Sequence, residues 1–147
     1  MDYSRYTKKW DEFKAGDYEE VSKTITESDV VLWCGLVCDM NPMHLDREYG
    51  KTTRFGDVIV PGVLVAGMIS AAVTKACFGH VYLQQSLEFK KPVYIGDTIT
   101  ARATVLEKVE DKHAVRLQTT ATNQKGEVVI EGEGMEYILR EKKPAAI

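Results

Sequence analysis

The segment Asp39-Met40-Asn41-Pro42-Met43-His44-Leu45-Asp46 gathers two carboxylates, an imidazole and an amide where an apolar run breaks against a proline. Asn41 precedes Pro42 and is therefore biased away from helical geometry. A helix is expected to end near Asp39, with His44 projecting from a loop. A carboxylate and an imidazole this close across a proline turn can converge on one small volume, such as a water molecule held between them. That is the arrangement general acid–base chemistry needs. A structural reading stands beside it: Asp and Asn are ordinary turn residues that hydrogen-bond their own backbone, and His44 would then be a satisfied loop histidine.

Positioning such a pair requires an element on each side of it. Upstream, Gly16-Asp17 marks a turn, and the alternation Val21, Lys23, Ile25 predicts a strand over 18–25. Thr26-Glu27-Ser28-Asp29 reads as a helix start with Thr26 as N-cap, an acidic variant of the capping box. That helix continues through Val30, Val31, Leu32, Trp33, Leu36 and Val37, apolar nearly all round, so it is expected to be well covered. Downstream, residues 47–53 are polar and mixed in charge, and 54–57 look like a turn. Arg47, Lys51 and Arg54 either meet an acidic ligand or belong to a solvated loop, the commoner explanation.

From Val58 to Val73 the only polar side chain is Ser70. A membrane span needs about 20 apolar residues, and this run is shorter and broken by Pro61-Gly62, so a buried helix is predicted instead. Pro61 suits its first turn, and Gly79 supplies a stop. Gly67 weakens such a helix, which suggests that another backbone approaches closely there. Ser70 is either a satisfied helix hydroxyl or part of a site. Beyond this helix the pattern turns to strands over 81–90, 98–106, 113–122 and 127–139, joined by short turns at Gly96-Asp97 and Asn123-Gln124-Lys125-Gly126. Short turns between strands imply antiparallel pairing. The predicted fold is α+β, a long antiparallel sheet wrapped around a central buried helix. Its open edges suggest pairing into a dimer. Residues 1–15 are expected to form an N-terminal extension in which Trp10 and Phe13 cover a core edge, and 140–147 a frayed tail.

The 147 residues suit one domain. A net charge of -3 without a dominant basic patch argues against nucleic-acid binding and for small-molecule partners. Cys34, Cys38 and Cys77 form an odd set and the N-terminus lacks an apolar signal segment, which suggests a reducing, cytoplasmic compartment. Cys34 and Cys38 share a helix face and could join His44 or His80 on a metal, but no second ligand pair follows with zinc-type spacing, so no metal is expected.

Together these residues resemble one family. The segment 38–46 looks like the hydratase motif of the MaoC-like, (R)-specific enoyl-CoA hydratases, Pro61-Gly62-Val63-Leu64 like their glycine-started central helix, and 82–93 followed by Gly96-Asp97 like their long strand and turn. The similarity runs from about Gly16 to Leu139. The resemblance implies a hot-dog fold, a homodimer or an assembly of dimers, and a cofactor-free hydro-lyase acting on acyl-CoA thioesters. In that family the positions of Asp39 and His44 hold and activate water, and the backbone N–H at the position of Gly62 receives the thioester oxygen. Asn41 would brace the loop, and Ser70 falls at a position near the family's active site. Val37, Cys38 and Pro61 depart from residues common in relatives. Acyl-carrier-protein dehydratases share the motif, and Lys90, Lys91 and Arg102 could meet either a CoA phosphate or an acidic carrier protein. A thioesterase or a non-catalytic acyl-thioester binding subunit are further alternatives on the same fold.

Overall fold

Period-two alternation through the C-terminal half produces a sheet with one apolar face, and the most apolar helix of the chain lies against it. The computed structural model describes residues 3–140. Strand β1 (Tyr18–Thr24) is followed by helices α1 (Glu27–Val37), α2 (Pro42–Leu45), α3 (Arg47–Thr52) and α4 (Gly62–Ala76). Strands β2 (Val81–Gln85), β3 (Glu88–Phe89), β4 (Thr98–Val109), β5 (Ala114–Thr122) and β6 (Val128–Tyr137) complete it. All pairings are antiparallel, in the order β1-β4-β5-β6-β2 with β3 also on β6.

In the β4–β5 register, Ala101 faces Ala121, Ala103 faces Thr119 and Val105 faces Leu117, all of them buried. These mostly small side chains let α4 sit down on the sheet, where Val65, Ile69, Ala72, Val73 and Ala76 point inward. Ile69 is fully buried, which is worth on the order of 2–3 kcal/mol. Phe13 also enters this core, while Trp10 packs at its edge and stacks on His113 with ring centroids 4.4 Å apart. Of the expected tail only Arg140 is described; 141–147 lie outside the described residues. No helix is long and apolar enough to cross a membrane among the described residues.

Several expectations need correction. His44 stands on the short helix α2, because the Asn41 side chain caps it by accepting from the Met43 N–H and Pro42 fills its first position. Residues 47–53 are largely helical, since the Asp46 carboxylate accepts from the N–H groups of both Glu48 and Tyr49. The strand expected over 81–90 is broken into β2 and β3. Within this chain α1 is poorly covered: Val30 and Cys34 are buried, but Val31, Leu32, Leu36 and Val37 are exposed. Nor does any backbone approach Gly67, where an added Cβ would meet open space.

One core position is polar without compensation. Glu136 points from β6 into the interior at 3% exposure, and its Oε2 has no hydrogen-bond partner among the described residues. Burial pushes its carboxyl up from 4.5 to about 7. The neutral acid is thus favoured in the fold, so its contribution to stability is full below about pH 4.5 and is lost as pH rises through 7. Glu136→Gln is expected to remove that slope and to stabilise the protein at neutral pH by on the order of 2–3 kcal/mol. Denaturant unfolding of both proteins at several pH values checks this, and parallel pH profiles would contradict it.

Candidate active site

The turn that carries Asp39 is built at the end of α1. Thr26 caps the other end of that helix as expected, its hydroxyl accepting from the Asp29 N–H at 3.2 Å. At the exit, Cys38 takes the left-handed conformation (φ 59) and the Asp39 N–H bonds back to the Cys34 carbonyl at 3.0 Å. This is a left-handed helix cap, usually given to glycine. It reverses the chain so that Asp39 Oδ1 accepts from the Asn41 N–H at 3.3 Å. Asn41 then starts α2, and α2 presents His44.

His44 is held from the opposite side. The Ile59 N–H donates to the Met43 carbonyl at 3.0 Å, and His44 Nδ1 lies 2.7 Å from the Ile59 carbonyl oxygen. A carbonyl can only accept, so Nδ1 carries the proton and, in the neutral ring, Nε2 is left as an acceptor. Nε2 lies 3.9 Å from Asp39 Oδ2. The histidine side chain is 12% exposed and the aspartate 40%, so a shielded imidazole meets a carboxylate open to solvent.

The chain continues from Ile59 to Val60, whose N–H donates to the Val93 carbonyl at 2.8 Å, and then into α4. Gly62 is the first residue of α4, and Pro61 at its N-cap supplies no side-chain acceptor. The first N–H groups of a helix have no intrahelical partner and sit at the positive end of its dipole. They can receive an oxyanion. A Cβ on Gly62 would lie 2.5 Å from Cε1 of Phe89, so any other residue here has to displace that ring.

His44, Gly62, Val63, Phe55 and Phe89 line one cavity of about 330 Å³, with Arg54, Lys90 and Lys91 also on its wall. The structure therefore brings Asp39, Asn41 and His44 together and joins His44 to Gly62 through that cavity. Ser70 is not on its wall, and its hydroxyl makes no hydrogen bond among the described residues. Arg102 is also elsewhere, pairing with Glu20 and lying over the Tyr18 ring. The Ile59 carbonyl and the Phe89 ring escaped sequence reasoning. A backbone acceptor leaves no side-chain signature, and Phe89 reads as an ordinary strand residue. Among the described residues no three His, Cys, Asp or Glu side chains converge as a metal ion would require. An acceptor pair, an adjacent helix N-terminus and a small, largely apolar cavity suit proton transfer to and from water beside a polarised carbonyl.

Comparison with known proteins agrees with this chemistry. A family model described as MaoC like domain matches residues 13–128. The chain is 45% identical over 126 residues to the (R)-specific enoyl-CoA hydratase of Rhodospirillum rubrum, covering 84% of this chain and 87% of that protein. It is 36% identical over 122 residues to a mitochondrial 3-hydroxyacyl-[acyl-carrier-protein] dehydratase of Solanum lycopersicum, covering 82% and 74%. Among solved structures, the unliganded R-hydratase PhaJ1 of Pseudomonas aeruginosa superposes with a TM-score of 0.82 at 35% identity, covering 95% of this chain and 96% of that one. The fold is that of the hot-dog hydratases.

Proposed function

This chain belongs to the MaoC-like domain family, and from that premise we propose that it is an (R)-specific enoyl-CoA hydratase. It adds water reversibly across the double bond of a trans-2-enoyl-CoA to give the (R)-3-hydroxyacyl-CoA. The observation that carries the reading is the 3.9 Å gap between His44 Nε2 and Asp39 Oδ2, with the opposite ring nitrogen locked on the Ile59 carbonyl. One water oxygen fits at hydrogen-bonding distance, about 2.8 Å, from both groups.

The steps follow from that arrangement. The water donates to both acceptors; as its oxygen attacks the β-carbon, one O–H bond breaks and the proton passes to the pair. The π electrons move onto the thioester oxygen, which the Gly62 N–H holds as an enolate. The proton kept by the pair then goes to the α-carbon on the same face, completing a syn addition of water. Asn41 positions Asp39 through its N–H. The test is loss of the conjugated-thioester ultraviolet absorbance when the purified protein meets crotonyl-CoA, without release of free thiol. Thiol release would instead identify a thioesterase.

The working unit is a dimer in this reading. Leu32, Leu36, Leu64, Met68 and Gly67 form an apolar groove between α1 and α4, and among the described residues the outer edge of β2 is unpaired. A second copy would cover α1 and approach Gly67, the two features left open in the single chain. Leu36→Glu, at a residue 80% exposed, is expected to keep the protomer fold and to turn a dimer into a monomer. Sedimentation velocity reads this; a monomeric wild type, or a variant that stays dimeric, would contradict it. Three free cysteines suit a cytoplasmic location.

A further inference from the structure

The cations around the catalytic cavity are not equivalent. Lys90 is held by Glu88 at 2.8 Å and Glu131 at 2.7 Å, and Lys91 by Glu127 at 2.6 Å. On the neighbouring helix, Arg47 pairs with Glu27 and Asp57, and Lys51 with Glu48. Arg54 alone of these five has no carboxylate partner among the described residues; its guanidinium lies over the Phe55 ring, 4.9 Å from the centroid.

The turn that presents Arg54 is braced. The Thr53 N–H bonds to the Gly50 carbonyl, the Gly56 N–H to the Thr53 carbonyl and the Phe55 N–H to the Thr53 hydroxyl. The Tyr94 hydroxyl donates to the Phe55 carbonyl at 3.2 Å. Behind it, Gly50 packs so closely on the next strand of chain that a Cβ would lie 2.6 Å from the Asp57 and Val58 backbone. A guanidinium presented at the wall of the cavity that contains His44, with no carboxylate partner among the described residues, is suited to bind an anion brought by the substrate.

We infer that Arg54 binds the phosphate on the 4′-oxygen of the substrate's pantetheine arm, the phosphate nearest the thioester and one shared by CoA and phosphopantetheinylated carriers. The inference rests on the hydratase reading and assigns Arg54 to substrate binding rather than to chemistry. Lys90 and Lys91 are neutralised by their own carboxylates, so among the described residues on the cavity wall a single phosphate is matched by the one cation without a carboxylate partner.

Steady-state kinetics of the full chain with crotonyl-CoA, crotonyl-4′-phosphopantetheine and crotonyl-pantetheine test it, comparing wild type with Arg54→Gln and Arg54→Lys. For Arg54→Gln, kcat/KM is expected to fall about five- to twenty-fold through KM with the two phosphorylated substrates and to stay within about twofold with crotonyl-pantetheine. Arg54→Lys is expected to recover part of the loss. Equal losses on all three substrates, or no loss on any, overturn the inference. A loss confined to crotonyl-CoA also overturns it, because the contact would then be to a more distal phosphate. A wild type inert towards all three thioesters would sink the hydratase reading and the inference with it, an outcome separate from any effect of Arg54.

Discussion

Asp39→Asn is expected to lower turnover of a trans-2-enoyl-CoA by about 10²- to 10⁴-fold while the protein melts close to wild type. The Asp39 side chain is 40% exposed and takes no part in the core. Its one backbone contact, the Asn41 N–H to Oδ1, can be kept by the amide oxygen of asparagine. What changes is the other end of the group. In place of a carboxylate oxygen facing His44 Nε2 across 3.9 Å, the variant offers an NH₂ that cannot take a proton from water. Initial rates beside thermal unfolding give the result, and near-normal turnover would remove Asp39 from the mechanism.

The second large effect is expected at Gly62, where the backbone N–H and the missing Cβ have to be separated. In a Phe89→Ala background the ring that crowds Gly62 is gone. There Gly62→Ala keeps the N–H and is expected to retain most activity. Gly62→Pro deletes it and is expected to cost about 10²- to 10³-fold in kcat. Proline suits this position because it is the first of the helix and its N–H has no intrahelical partner to lose. Pro61 already holds the extended backbone (φ -53, ψ 123) that a following proline prefers. Equal kcat in the two double variants would place the oxyanion elsewhere.

Much of this site was legible in order of residues. Thr26 and Asp29 announced the start of α1, the broken apolar run announced α4, and the Asp39 to His44 spacing announced the pair. The local reading of Asn41-Pro42 holds for the end of α1 and for the extended Asn41 backbone and fails only for His44, because the same two residues that end one helix nucleate the next: Asn41 caps α2 and Pro42 opens it. Asp46 does the same for α3. Helix α1 misled for a different reason. Its apolar circumference implies cover, and within one chain that cover is absent from Leu32 and Leu36. An apolar circumference states that a surface favours burial without stating what covers it. The Ile59 carbonyl, which sets the tautomer of His44, was not legible because every residue type carries the same carbonyl.

The most direct test of the central claim is the configuration of the product formed from crotonyl-CoA, read with stereospecific hydroxyacyl-CoA dehydrogenases. A water held on one face by Asp39 and His44 predicts a single enantiomer, which the hydratase reading makes (R)-3-hydroxybutyryl-CoA, with the thioester intact. A racemic or (S) product, or free thiol in place of a hydroxyacyl thioester, would contradict it.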